Sequence, residues 1–261
     1  MSNIITLTTD WKNSDYYTGV FKAAVLTRTP QAVFVDISHN ISSFSIQQAG
    51  FILKSSYMNF PADTIHIVGV DSEPGKNENI VVAMYNDQYF ICNNNGTLGL
   101  VFDEIPQKTV IIETGFAFDG STFPELTIFA DIVNYICKKG DISDLGESVG
   151  DIKRIPGFLP QIDINEINGE IIYIDSYYNA ISNITKEIFK EYVGTSKFEI
   201  YLNSNLNKTD KIYNSYKEVN SGELVCVFNS LNLLEIAIRE GKASLLLNLD
   251  RRAAIRIKYN L

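Results

Sequence analysis

Apolar and polar positions alternate in a regular order along the first half of the chain. "NIITLTT" at residues 3–9 is a β-branched run that reads as a buried strand, and "YYTGVFKAAVLT" (16–27) places Val20, Ala23, Ala24 and Leu26 at helical spacings. "AVFVDIS" (32–38) reads as a second strand, "SIQQAGFILKSSYMNF" (45–60) as a helix with Ser45 as candidate cap, and "TIHIVGV" (64–70) as a third strand. Strand, helix, strand, helix, strand is the pattern of crossover units, so the prediction is an α/β domain with a mostly parallel sheet. "NIVVAMYNDQYFICNN" then reads as a hairpin turning at Asn86-Asp87, followed by "LGLVFDEI", the strand "KTVIIET" and a helix around "FADIVNYICKKG".

Near residue 151 the rhythm changes. "KRIPGFLPQIDINEING" breaks at Pro156 and Pro160 among polar residues and reads as a linker. Short strands follow, in "GEIIYIDSYYNAISNI", "KFEIYLN", "ELVCVFNS", "LLEIAI" and "AAIRIKYN", with one helix in "KEIFKEYV". The predicted organisation is an α/β ligand-binding domain over 1–153, a linker over 154–168 and an all-β barrel over 169–261.

Composition narrows the function classes. A net charge of −9 argues against a binder of phosphate backbones, so no nucleic-acid partner is expected. Cys92, Cys137 and Cys226 are an odd, widely spaced set, which predicts reduced thiols in a cytoplasmic protein. The two histidines, His39 and His66, have no metal-type spacing, and no metal is expected. No basic-then-apolar leader and no membrane-length apolar run is present, so the expectation is a soluble protein without a membrane partner.

Open α/β sheets bind ligands beyond the carboxyl ends of their strands. That rule draws attention to "TTDWKNSDYY", "DISHNISSF" and "VDSEPGKN", which bring Asp10, Asp15, Asp36 and Asp71 toward one edge. Pattern alone leaves them equally readable as helix caps and turn formers. His39 reads first as a hydrogen-bonded structural histidine, and Trp11, Tyr177 and Tyr178 read either as base-stacking surfaces or as ordinary packing. No GxGxxG or Walker-type loop follows any strand, which disfavours a dinucleotide or nucleoside triphosphate.

The ordered set is more specific than its parts. "TLTTDWKNSDYYTGVFKAAVL", "VFVDISHNI", the "VD" with a glycine-containing turn, "STFPELTIFADIV", "GEIIYIDSYYNAISNI" and "NSLNLLEIAIREGKAS" together resemble the S-adenosylmethionine hydroxide adenosyltransferases, relatives of the S-adenosylmethionine-dependent fluorinase and chlorinase. The resemblance runs over nearly the whole chain. It implies an N-terminal α/β domain joined to a C-terminal β-barrel, in a homotrimer whose sites lie between one subunit's N-domain and a neighbour's C-domain. It also implies S-adenosylmethionine as substrate, with water or hydroxide displacing methionine from C5′ to give adenosine. By the same resemblance Asp10 holds the ribose, Asp15 and Tyr17 lie toward the methionine end, Phe44 walls the ribose, and Phe123 closes the C5′ pocket. Asp175 meets the methionine amino group, Tyr177 and Tyr216 sandwich the adenine, and Asn179 reads its polar edge. Ser230 takes the carboxylate, and Arg239 with the backbone near Glu240 flanks the adenine.

The departures lie around the nucleophile. The hydroxide-using family positions water with an aspartate, an arginine and a histidine. Here Asp71 keeps the aspartate, Glu78 stands at the arginine position and Pro124 at the histidine position, with Lys76 a candidate replacement cation. Pro124 has no N–H to offer a halide and Glu125 would repel one, which disfavours halogenation. Three readings follow: hydrolysis with Asp71 orienting water, binding of S-adenosylmethionine or adenosine without turnover, or adenosyl transfer to another nucleophile with Glu78 or Glu125 as base.

Overall fold

The first strands end where the sequence predicts, and their order explains where a site can form. The structure, a computed structural model, describes residues 3–75, 79–112, 123–157 and 159–260. The chain forms two units, residues 1–157 and 158–261. Segment 154–168, read as a linker, carries strand β8 (Gln161–Asp163) and the start of β9 (Glu166–Ile174).

In the first unit, β1 (Asn3–Thr9) lies between β2 (Ala32–Ser38) and β3 (Ile65–Gly69), parallel to both. The helix Tyr17–Arg28 connects β1 to β2, and the helix Ile46–Lys54 connects β2 to β3. Phe21 and Val25 of the first helix pack with Ile5, Leu7, Ile65 and Ile67. Ala49 and Leu53 of the second pack instead with Val68, Val70 and Phe90. The two helices therefore cover opposite faces, as the period-two alternation of β3 requires. The first helix buries Phe21 and Val25, whereas Val20 and Leu26, which also fit a helical repeat, stay exposed. Ser45 caps the second helix, its hydroxyl accepting from the Gln48 amide.

The sheet is mixed rather than mostly parallel. Its order is β2-β1-β3-β5-β4-β6-β7, where β4 is Ile80–Tyr85, β5 Gln88–Asn93, β6 Lys108–Ile112 and β7 Glu147–Ser148. The pairs β2-β1, β1-β3 and β3-β5 are parallel, and β5-β4, β4-β6 and β6-β7 are antiparallel. The cause is the tight β4–β5 turn, with Asn86 and Asp87 both at positive φ, because a two-residue turn joins only antiparallel strands. Once β5 has paired with β3, β4 must run backwards, and β6 and β7 continue from it.

The second unit is an antiparallel sheet ordered β12-β11-β15-β9-β10-β14-β13, with β8 paired to β9. Its remaining strands are β10 (Ala180–Thr185), β11 (Phe198–Leu202), β12 (Lys208–Thr209), β13 (Leu224–Phe228), β14 (Leu233–Ile238) and β15 (Ala254–Tyr259). Ile200 from one end of that order and Cys226 from the other share one core with Ile171 and Ile257, so the sheet curls onto itself. Among the described residues no pairing joins β12 to β13. The predicted β-barrel is thus a curled, antiparallel half-barrel. The helix Lys186–Tyr192 is capped by the Thr185 hydroxyl, which accepts from the Ile188 amide.

Candidate functional site

Strand order 2-1-3 reverses direction between β1 and β3, which opens a crevice at their carboxyl ends. Asp10 follows β1 directly, and its amide donates to the Gly69 carbonyl at the end of β3 (3.2 Å). Asp71 stands two residues beyond, so the fold brings both predicted carboxylates to one crevice.

Asp71 is held in an unusual backbone state. Its φ is +49°, and its carbonyl accepts from the Asn93 amide (3.0 Å) and the Asn95 amide (3.1 Å). β3 and β5 are parallel, so residues leaving the end of β5 are positioned to clamp the loop leaving β3. A left-handed non-glycine residue fixed by two side chains is the sort of local strain that persists when surroundings enforce it. Lys76 and Glu78 lie outside the described residues.

Aromatic rings close the crevice beside Asp10. Trp11 is buried against Phe21 (5.6 Å between centroids) and Phe123 (5.3 Å), and Tyr17 meets Phe123 edge-on at 5.3 Å. Asp10 Oδ2 accepts from the Phe44 amide at 2.8 Å, while the Phe44 ring is 73% exposed. Asp15 is exposed and accepts from the Tyr16 amide (2.9 Å). Asp36 is engaged elsewhere. It pairs with Lys22 (2.7 Å) and lies 3.3 Å from His39 Nε2, with His39 Nδ1 2.7 Å from the Thr9 hydroxyl.

Glu125 is the residue whose surroundings the sequence did not reveal. It sits in a short 3₁₀ turn, Pro124–Leu126, and is fully buried. Neither carboxylate oxygen has a well-formed hydrogen bond among the described residues. Burial pushes its pKa up to about 7; the Ser72 hydroxyl and its own amide pull the other way, and the Asp10 charge adds to the rise. Pro124, which opens that turn, offers neither an imidazole nor an amide N–H.

In the second unit the predicted site residues Asp175, Tyr177 and Asn179 lie in the turn between β9 and β10, which they build among themselves. Asp175 accepts from the amides of Tyr177 (2.9 Å) and Asn179 (2.8 Å) and from the Asn179 side chain (3.0 Å). Tyr177 is consequently turned outward, 76% exposed. Tyr216 and Ser230 line one cavity of about 570 Å³ with Ile181, Phe228, Asn229 and Glu235. The Tyr216 hydroxyl donates to Glu235 (2.6 Å), and burial, Glu235 and then Asp175 raise its pKa. Glu235 also accepts from the Asn229 amide (3.1 Å) and was missed by sequence reading. The signal was available, since a glutamate inside the apolar run "LLEIAI" must find buried donors. Arg239 donates to the Val219 carbonyl (2.7 Å) and lies 3.5 Å from Glu240, which has positive φ.

Among the described residues no helix is long and apolar enough to cross a membrane, and no cluster of His, Cys, Asp and Glu has metal-binding geometry. The three cysteines are free, two of them buried.

The chain is similar over almost its full length to known proteins. It is 28% identical to a curated protein named (R)-S-adenosyl-L-methionine hydrolase from Methanocaldococcus jannaschii, over 98% of this chain and 96% of that protein. A protein of the same name from Thermus thermophilus is 23% identical, over 95% of this chain and 96% of its own length. The crystal structure of an uncharacterized conserved protein from Thermotoga maritima matches with a TM-score of 0.85 and 25% identity, covering 98% of this chain and 99% of that one. A conserved hypothetical protein from Thermus thermophilus matches in fold with a TM-score of 0.76 and 21% identity, covering 99% and 100%. Family models for the SAM hydroxide adenosyltransferase N-terminal and C-terminal domains match residues 5–146 and 169–256, and the chain belongs to that family.

Proposed function

We propose that this protein is an enzyme that hydrolyses S-adenosylmethionine to adenosine and methionine, with water attacking C5′ of the ribose. The observation that carries the reading is family membership across both units, joined to full-length similarity to two (R)-S-adenosyl-L-methionine hydrolases. The chemistry asks little of a general acid, because a sulfonium already leaves readily. It asks for a fixed ribose and a nucleophile held in line in a dry pocket.

The strand-end crevice suits those demands. Asp10 accepts from a ribose hydroxyl, since ionised acceptors make strong hydrogen bonds. Phe44 and Phe123 wall the sugar and the C5′ carbon, and Asp15 and Tyr17 lie toward the methionine. Asp71 orients the water. In the second unit Tyr177 and Tyr216 stack on the adenine, Asn179 reads its edge, and Arg239 with the Glu240 backbone flanks it. Asp175 and Ser230 take the amino and carboxylate ends of the methionine. The exposed rings of Phe44 and Tyr177 support a homotrimer in which one subunit's N-terminal unit and a neighbour's C-terminal unit complete each site. We place the protein in the cytoplasm, where its substrate is found and free thiols stay reduced.

A second reading, binding without turnover, is favoured by Pro124, which removes a water-orienting side chain from the family's pattern. Incubation with each sulfonium epimer in halide-free buffer, following adenosine and methionine by mass spectrometry, separates the two. Equimolar adenosine and methionine, formed preferentially from the R epimer, is the expected result. Tight retention of intact ligand without product would make the protein a binder.

A further inference from the structure

We propose that Glu125 is the catalytic base of this site, accepting the proton of the water that attacks C5′. The inference rests on the hydrolytic reading above and supplies what Pro124 takes away. A fully buried carboxylic acid whose two oxygens lack well-formed hydrogen bonds among the described residues is costly to a fold, because desolvation is left uncompensated. Such a group contributes nothing to packing that leucine would not. A role toward a ligand explains why it is there.

Its placement fits that role. Glu125 stands two residues after Phe123, whose ring contacts both Trp11 and Tyr17. The Ser72 hydroxyl and, more weakly, the Asp10 charge act on it, and the ring of Phe123, two residues before it, stands 5.3 Å from that of Trp11, the residue after Asp10. Ser72 follows Asp71 directly, so the proposed water-orienting and proton-accepting groups come from adjacent sides of one crevice. Pro124 at the first position of the 3₁₀ turn presets the backbone, and the Leu126 amide closes it on the Phe123 carbonyl (3.2 Å).

The charged groups on the two helices packed against this turn are otherwise engaged. Lys22 pairs with Asp36 (2.7 Å) and Arg28 with Asp131 (2.5 Å), while Tyr135 donates to Asp144 (2.9 Å). Tyr17 is held toward its phenol form by Tyr16 and presents its ring to Phe123. Burial above all, with a smaller part from the Asp10 charge, keeps the acid poised near neutrality, where a general base works best.

The step balances. The water oxygen forms its bond to C5′ as the C5′–S bond breaks, the bonding pair stays on sulfur to give neutral methionine thioether, and the water proton passes to the Glu125 carboxylate. Solvent removes that proton after the products leave.

The test is the pH profile of kcat for wild type, Glu125→Gln and Glu125→Asp, with S-adenosylmethionine affinity measured on each by calorimetry. We expect wild-type activity to rise through an acid limb near pH 7. Glu125→Gln should retain affinity, lose about a hundredfold or more in kcat, and lose that limb. Glu125→Asp, which keeps a carboxyl but withdraws it, should retain a limb at lower pH and a kcat between the two; it decides the matter if the glutamine variant does not fold. Wild-type kcat and an unchanged limb in either variant would overturn the role of Glu125 while leaving hydrolysis standing. Wild type that forms no adenosine would overturn both.

Discussion

The backbone amide of Phe44 donates a 2.8 Å hydrogen bond to Asp10 Oδ2, and Phe44 itself sits at φ +63°. One carboxylate oxygen thus holds an exposed aromatic loop in a left-handed turn, and among the described residues the other accepts no hydrogen bond, which suits the proposed role toward a sugar hydroxyl. Asp10→Ala removes both functions, and kcat/KM should fall by about ten- to a hundredfold, the size of a hydrogen bond to a charged group. Asp10→Asn, which still accepts from Phe44, should lose less. Steady-state kinetics on the pair, beside their urea midpoints, checks the order.

Trp11 lies across Gly69 so closely that a Cβ there would stand 2.5 Å from Cζ2 of the indole. Gly69→Ala should therefore push the indole out of its place against Phe123 and cost about 1–3 kcal/mol, the range for overpacking. Trp11 is the single tryptophan, so its emission should move to longer wavelength as the urea midpoint falls. An alanine variant with unchanged emission and stability would show that the ring has room to spare.

Two buried groups should give stability opposing slopes with pH. His66 accepts from the Thr6 hydroxyl at Nδ1 (2.7 Å) and donates from Nε2 to the Gln88 carbonyl oxygen (2.6 Å), because the Gln88 amide is already given to the Phe60 carbonyl. Burial, partly offset by Gln88, lowers its pKa to about 4. Between pH 6.5 and 4 the unfolded chain takes up a proton that folded His66 refuses, so acidification costs stability, by roughly 3 kcal/mol in full. Glu125 works the other way. Its folded pKa lies near 7 against 4.5 unfolded, so its contribution is present at low pH and is lost as pH rises through that window. In Glu125→Gln only the histidine slope remains, and stability should fall more steeply than in wild type from pH 6.5 to 4.5. Urea midpoints across that range report it.

The parts of the site that could be read in the sequence are those fixed by short-range rules. β1, β2 and β3 were legible because β-branched runs end in polar turn formers, and that pattern alone places Asp10 and Asp71 at strand ends. The Asn86-Asp87 turn was legible from its chemistry. The pairing of that hairpin into the sheet was not, since a buried apolar run such as "KTVII" reads the same in either orientation and nothing local says that β5 joins β3 or that β6 joins β4. The open edge between β12 and β13 is likewise a matter of pairing between distant strands. Glu125 gave no signal of burial, because one acid in a three-residue turn has no periodicity to betray it; what surrounds it comes from the ends of β1 and β3, far away in sequence.

Hydrolysis by an oriented water stands or falls on Asp71. Asparagine tolerates the same left-handed backbone, so Asp71→Asn keeps the clamp from Asn93 and Asn95 and removes the charge. The measurement is turnover of S-adenosylmethionine in heavy-oxygen water, comparing the two proteins. The expected result is adenosine carrying one heavy oxygen at its 5′ position, unlabelled methionine, and product reduced by about a hundredfold or more in the variant. Adenosine without the label, or wild type that binds the ligand and returns it intact, would contradict it.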